Sequence, residues 1–401
     1  MTSERSKIAD PSQGNAPAGA ERGPGVVRWG VAASTARTLA SAGPKVSATQ
    51  AAPMVEDIRL KAAASVEHVH RITGLEAARD LRDSEVLVVD RAGWATAAVG
   101  GFREMLDPSL RAAMGSKFPQ GLPLTLRMGG YGVGAELGAL VAFLSGHVLG
   151  QYDPFSTSPA APGGRLLLVA PNIVQTERKL QVDTGDFRLW VALHEQTHRV
   201  QFAAAPWLRG HLAAQIAELT SGLTSTQASL GDRVKRLSGG VRSDTETRAP
   251  EGASAVGQTE GLAAAQQDPL PEGLGLLDLV AGPQERAALS RVTAVMSLLE
   301  GHANVVMDGV DASVIPTVKT IRQRFETRGQ DRSALQRLVM RVIGMAAKQR
   351  QYQDGARFVR AGVDALGMQG FNVVWEDQTN LPTEAELHAP QEWISRMRKV
   401  S

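Results

Sequence analysis

Five consecutive residues, His194-Glu195-Gln196-Thr197-His198, carry the most legible chemistry of this chain. On an α-helix, residues four apart lie one above the other, so both imidazoles can reach a single ion about 2.0–2.1 Å from each nitrogen. Glu195 then sits about 100° round the helix, beside a water that such an ion would activate, and is the candidate general base. A catalytic zinc site takes three protein ligands and leaves a fourth position open. The motif therefore predicts one Zn2+ ion and a third ligand elsewhere in the chain.

A histidine six residues after His198, as metzincins place it, is absent because position 204 is Ala. A carboxylate from a later helix is the other common arrangement, and the segment from Arg291 to Asp308 offers Glu300 and His302. Helical phase separates them. Thr293, Ser297, Glu300, Asn304 and Asp308 fall in one stripe roughly 80° wide, with Val292, Val295, Leu299 and Val306 covering much of the rest. A helix of that pattern is buried with a single polar face, and Glu300 lies on it as third ligand. Asn304 or Asp308 could orient a ligand histidine by accepting its other ring N–H, while an ordinary helix-end carboxylate is the plainer reading of Asp308. His302 points about 160° away from the stripe. Gly301 could break the helix and turn His302 toward the metal or an oxyanion, and a core histidine bonded to a backbone carbonyl is the plainer alternative.

The segment leading into the motif supports a helix. Leu189, Trp190, Leu193, Thr197 and Val200 gather on one stripe, His194 and His198 lie at its margin, and Arg188 and Arg199 point away. Asp183, Thr184 or Asp186 can cap its start and Pro206 limits its end. Further helices are predicted around 27–42, 53–71, 93–106, 134–150, 207–229, 283–308, 316–328, 331–350, 354–366 and 383–398. Thr383 and Glu386 form a capping box for the last. Strand-like runs are few: Glu85–Val89, Leu124–Arg127, Arg165–Val174 and Phe371–Trp375. The pattern is α+β and predominantly helical, with a small sheet beside the helix of the motif. Arg165–Val174 could be an edge strand that pairs with an extended peptide, or a plain core strand. Lys348, Arg350 and Tyr352 could donate to an oxyanion, or decorate a solvated helix end. His68, His70, His147, His211 and His388 have no partner spacing and are read as ordinary.

Composition narrows the function classes. The chain has 401 residues, 43% hydrophobic, and 43 basic against 41 acidic side chains, interspersed, so no face for nucleic acid is advertised. Without cysteine there is no disulfide, thiol nucleophile, iron–sulfur cluster or thiolate zinc site. No GxGxxG follows a strand and no phosphate-binding GxxxxGK[ST] occurs. The first ten residues lack a secretory apolar core, which predicts a cytoplasmic protein. The longest apolar run, Leu137–Leu149, is too short to span a bilayer and reads as a buried helix packed closely at Gly134 and Gly138. Residues 1–24 read as a flexible tail. Residues 231–275, nearly devoid of large apolar side chains, read as a disordered insertion. The remainder, 25–401, reads as a single domain, with a helical part to about residue 160 and the metal-site part from about 161.

HEQTH, followed about a hundred residues later by LLEGHANVVMD, resembles the gluzincin side of the zincin superfamily. Together with PNI at Pro171–Ile173, HEQTHRVQF and PWL at Pro206–Leu208, these runs resemble an actinobacterial zincin-like family labelled as hydrolases. Some of its members are associated with deazaflavin coenzyme biosynthesis. The resemblance implies a metallopeptidase-like fold and no substrate specificity. The reading is thus a cytoplasmic zinc-dependent hydrolase, foremost a peptidase. It would act on a peptide or other amide, without nucleic acid or membrane insertion. The alternatives are a catalytically inactive zincin-like binding or accessory protein and a zinc amidohydrolase for non-peptide amides.

Overall fold

The computed structural model describes residues 25–221, 283–330 and 348–399. The predicted tail at 1–24, the insertion at 231–275 and most of the helix at 331–350 lie outside the described residues. The fold is predominantly helical with one small sheet, as the α+β pattern predicted. Helices α1 (Trp29–Leu39) and α2 (Ala48–Thr73) lead into β1 (Ser84–Val89), followed by α3 (Arg91–Lys117) and α4 (Leu124–Ser145). Next come β2 (Gly150–Asp153), β3 (Gly164–Val169), α5 (Ala170–Leu180), α6 (Thr184–Ala204) and α7 (208–221). Helices α8 (Pro283–Asp308), α9 (Val318–Gln330), α10 (Lys348–Phe371), α11 (Glu384–His388) and α12 (Pro390–Met397) complete the described chain.

Strand β3 is central, parallel to β1 and antiparallel to β2. Its unbroken apolar run Leu166–Val169 reflects burial on both faces. Leu168 joins the larger hydrophobic cluster, with Phe187, Leu193, Leu298 and Phe358; Leu167 and Val169 join a smaller one with Trp29, Trp94 and Val141. The strand read at Arg165–Val174 stops at Val169, because α5 begins at Ala170 with Pro171 in its first turn. Leu124–Arg127 is the first turn of α4, and Asn372–Trp375 is a 3₁₀ turn among buried aromatics; neither is a strand. Pro390 divides the expected last helix into α11 and α12, with the Thr383–Glu386 capping box in place.

Helix α4 has 22 residues, longer than the apolar run suggested, and is long and apolar enough to cross a membrane by length and composition. Gly134 and Gly138 do face α1 closely: a Cβ there would meet the carbonyl oxygens of Arg28 and Ala32 at 2.6 and 2.5 Å.

Helix α6 is enclosed rather than half-buried. Arg188 and Arg199, expected to point to solvent, are buried. Arg188 grips Glu177 with two hydrogen bonds of 3.0 and 2.7 Å and donates to Asp57 at 3.0 Å. Arg199 donates to the Ser84 hydroxyl and to the carbonyls of Leu81 and Ser84. Apart from Glu177 on the preceding helix, these partners lie far away in sequence, and helical periodicity carries no trace of any of them.

Helix α8 crosses α10 at glycines. A Cβ on Gly301 would lie 2.3 Å from the carbonyl carbon of Gly355, and one on Gly355 would lie 2.1 Å from the carbonyl oxygen of Ser297. Gly301 therefore does not break α8; it lets two backbones touch beside Glu300. Gly301→Ala is expected to lower unfolding stability by about 3 kcal/mol or more, read as the urea midpoint. An unchanged midpoint would show that this crossing is soft.

Candidate metal centre

Asp183 caps α6 by accepting the amide N–H of Asp186 at 2.9 Å, and Asp186 in turn accepts from the backbone and hydroxyl of Thr317. So anchored, α6 presents His194 and His198 toward α8. Their rings are 5.0 Å apart and nearly perpendicular. Glu300 lies between them, with Oε2 3.7 Å from Nε2 of His194 and Oε1 3.6 Å from Nε2 of His198. One donor atom from each of the three falls within 4.8 Å of the others. Ligands around a tetrahedral zinc ion are about 3.3 Å apart, so the two distances from Glu300 exceed that spacing by only a few tenths of an ångström. Burial, with His198 alongside and partly offset by Glu300, lowers the His194 pKa to about 4 and keeps its imidazole neutral, as a ligand must be.

Glu195 is buried beneath β2. A Cβ at position 150 would lie 2.6 Å from its Cγ and 2.8 Å from its Cδ, so Gly150 leaves the room it occupies. Burial pushes its carboxyl up to about 7, with His198 opposing and Glu300 adding to the shift. A carboxyl poised there exchanges protons readily near neutrality.

His302 stands apart from the three. Fully buried, it stacks on Phe371 and meets Trp375 edge-on, and its Nδ1 lies 3.0 Å from the side-chain nitrogen of Gln201. It is a core histidine whose partner is an amide side chain, not a backbone carbonyl. Asn304 is exposed, and Asp308, two turns beyond Glu300, pairs with Arg322 and Arg360. The group that bonds Nδ1 of His198 is instead Gln201, at 3.0 Å. Its position three residues after His198, on the same helix face, was the available signal.

The four residues open onto a cavity of about 370 Å³ whose other walls are largely apolar, among them Phe102, Phe155, Phe202, Ile216 and Met296. Strand β2, the outer strand next to β3, forms one wall from Gly150 to Asp153. The edge beside the site is therefore β2; β3, the edge strand that the sequence suggests, is interior. Tyr152 lines the cavity but donates its hydroxyl to the Gly163 carbonyl. The side chains of Lys348, Arg350 and Tyr352 lie outside the described residues.

A family model described as zincin-like metallopeptidase matches residues 27–394. The chain belongs to that family. A crystal structure of a candidate hydrolase with a novel fold from Chloroflexus aurantiacus is similar to this zincin-like chain. The TM-score is 0.59 and the identity 26%, over 93% of this chain and 99% of the other. No curated protein matches. The zincin-like family implies a zinc ion, and two imidazoles with a carboxylate are a donor set that suits one.

Proposed function

We propose that this protein is a zinc-dependent hydrolase, foremost a peptidase, that holds one zinc ion on His194, His198 and Glu300 and uses Glu195 as general base. The observation that supports this most strongly is the convergence of three potential ligand atoms beside the buried Glu195 carboxyl at the wall of a cavity. When bound, zinc supplies Lewis acidity, polarising a carbonyl and making water easier to deprotonate. Glu195 accepts the proton of the attacking water and returns it to the leaving nitrogen. The apolar walls admit an uncharged side chain, and the outer strand β2 offers main-chain groups to an extended substrate. The proposed setting is the cytoplasm. The deazaflavin association of the resembling actinobacterial proteins makes amides of that chemistry a group to screen beside peptides.

The test is metal analysis of the purified, tag-free protein together with a peptide and amide panel. About one zinc per chain is expected, with hydrolysis lost on chelation and regained on adding zinc. Hydrolysis that survives complete removal of metal would overturn the proposal. Metal binding without turnover on any panel member would favour the accessory-protein reading.

A further inference from the structure

We infer that Gln201 is the positioning residue of the metal centre, locking His198 in the tautomer whose Nε2 lone pair faces the ion, and that Leu299 and His302 together hold Gln201 in place. The inference rests on the proposed role of His198 as a zinc ligand. The Leu299 carbonyl can only accept, and it lies 2.9 Å from the Gln201 side-chain nitrogen, so the amide NH₂ must face it. The other end of the amide is then the oxygen, 3.0 Å from Nδ1 of His198, and Nδ1 must carry the proton. With Nδ1 protonated, the neutral ring has its lone pair on Nε2, the atom facing Glu300.

The second hydrogen of the NH₂ goes to Nδ1 of His302 at 3.0 Å. That forces the His302 proton onto Nε2, which is buried with no hydrogen-bond partner among the described residues. An unpartnered buried N–H is costly, and an apolar side chain would pack against Phe371 and Trp375 without that cost. His302 is explained if its contribution is the acceptor it gives Gln201: with both amide hydrogens engaged, the amide cannot turn over. Gln201 is itself fully buried, so water does not compete for these bonds.

Two measurements on the full-length protein test this. Imidazole nitrogen NMR of the metal-free wild type should show His198 as the Nδ1–H tautomer, and Gln201→Met, of similar volume, should show a mixture. Zinc affinity by competition with a chromogenic chelator should fall ten- to a hundredfold in Gln201→Met. It should recover in part in Gln201→Glu, whose protonated carboxyl can still donate to the Leu299 carbonyl and accept from His198. His302→Leu should weaken zinc binding severalfold without lowering the melting temperature, whereas a merely structural histidine would lower the melting temperature and leave affinity alone. Unchanged affinity in Gln201→Met, or an Nε2–H His198 in the wild type, overturns the inference while leaving the zinc site standing. A wild type that binds no zinc overturns the proposed function itself.

Discussion

Glu195→Gln is expected to bind zinc as the wild type does and to lose turnover by about a thousandfold, within the usual range for a positioned acid–base group. Glutamine matches the shape of the carboxyl and fits the same space beneath Gly150, so neither the cavity nor α6 should shift. What disappears is a group able to accept a proton. Because the native carboxyl is buried and held at about 7, its replacement by a neutral amide should leave thermal stability unchanged or slightly higher. The measurements are metal content, melting temperature and kcat on the best substrate of the panel. Hydrolysis at the wild-type rate would remove Glu195 from the reaction and point to another base. Loss of metal together with activity would instead make it part of the ion's support.

Glu300→Ala and His194→Ala should each weaken zinc binding about a thousandfold. If three ligands share a binding free energy of about 10–16 kcal/mol, the loss of one costs about 4 kcal/mol, or about a thousandfold in affinity. Glu300 makes the sharper test because its side chain is about a third exposed and it meets both histidines; its truncation leaves no hole in the core. His302→Leu should retain a measurable site. Metal kept in Glu300→Ala and abolished in His302→Leu would reverse the assignment, and the geometry around Gln201 would then have to rearrange.

Much of this centre is visible in local spacing. The i, i+4 histidines place two imidazoles on one face, and the polar stripe on α8 separates Glu300 from His302, because both depend only on a 100° step per residue. Spacing could not show which stripe members face the ion. Asn304 shares the phase of Glu300 yet is exposed, and Asp308 is drawn to Arg322 and Arg360 from other helices. The arginines of α6 were misplaced for a similar reason: long side chains on a polar-looking face become buried when remote carboxylates and carbonyls are brought to them. Strand β2, four residues long with only one large apolar side chain, carries almost no strand signal, and so the wall over Glu195 was not foreseen. Gly150 and Gly301 look like any other glycine until the backbone or carboxyl against each is known.

The enclosure of α6 also bears on how such a protein can diversify. Nearly every face of this helix is committed, from Phe187 and Arg188 through Gln196 and Arg199 to Gln201, so a substitution there risks the folded state before it can alter what is bound. Met105, Ile216 and Met296 reach the cavity from three other helices, α3, α7 and α8, and none is fully buried. Mutational tolerance is thus distributed unevenly around one cavity. Drift toward new ligands should run through these rim positions while α6 stays nearly invariant, and libraries built on the rim should yield folded variants far more often than libraries built on α6.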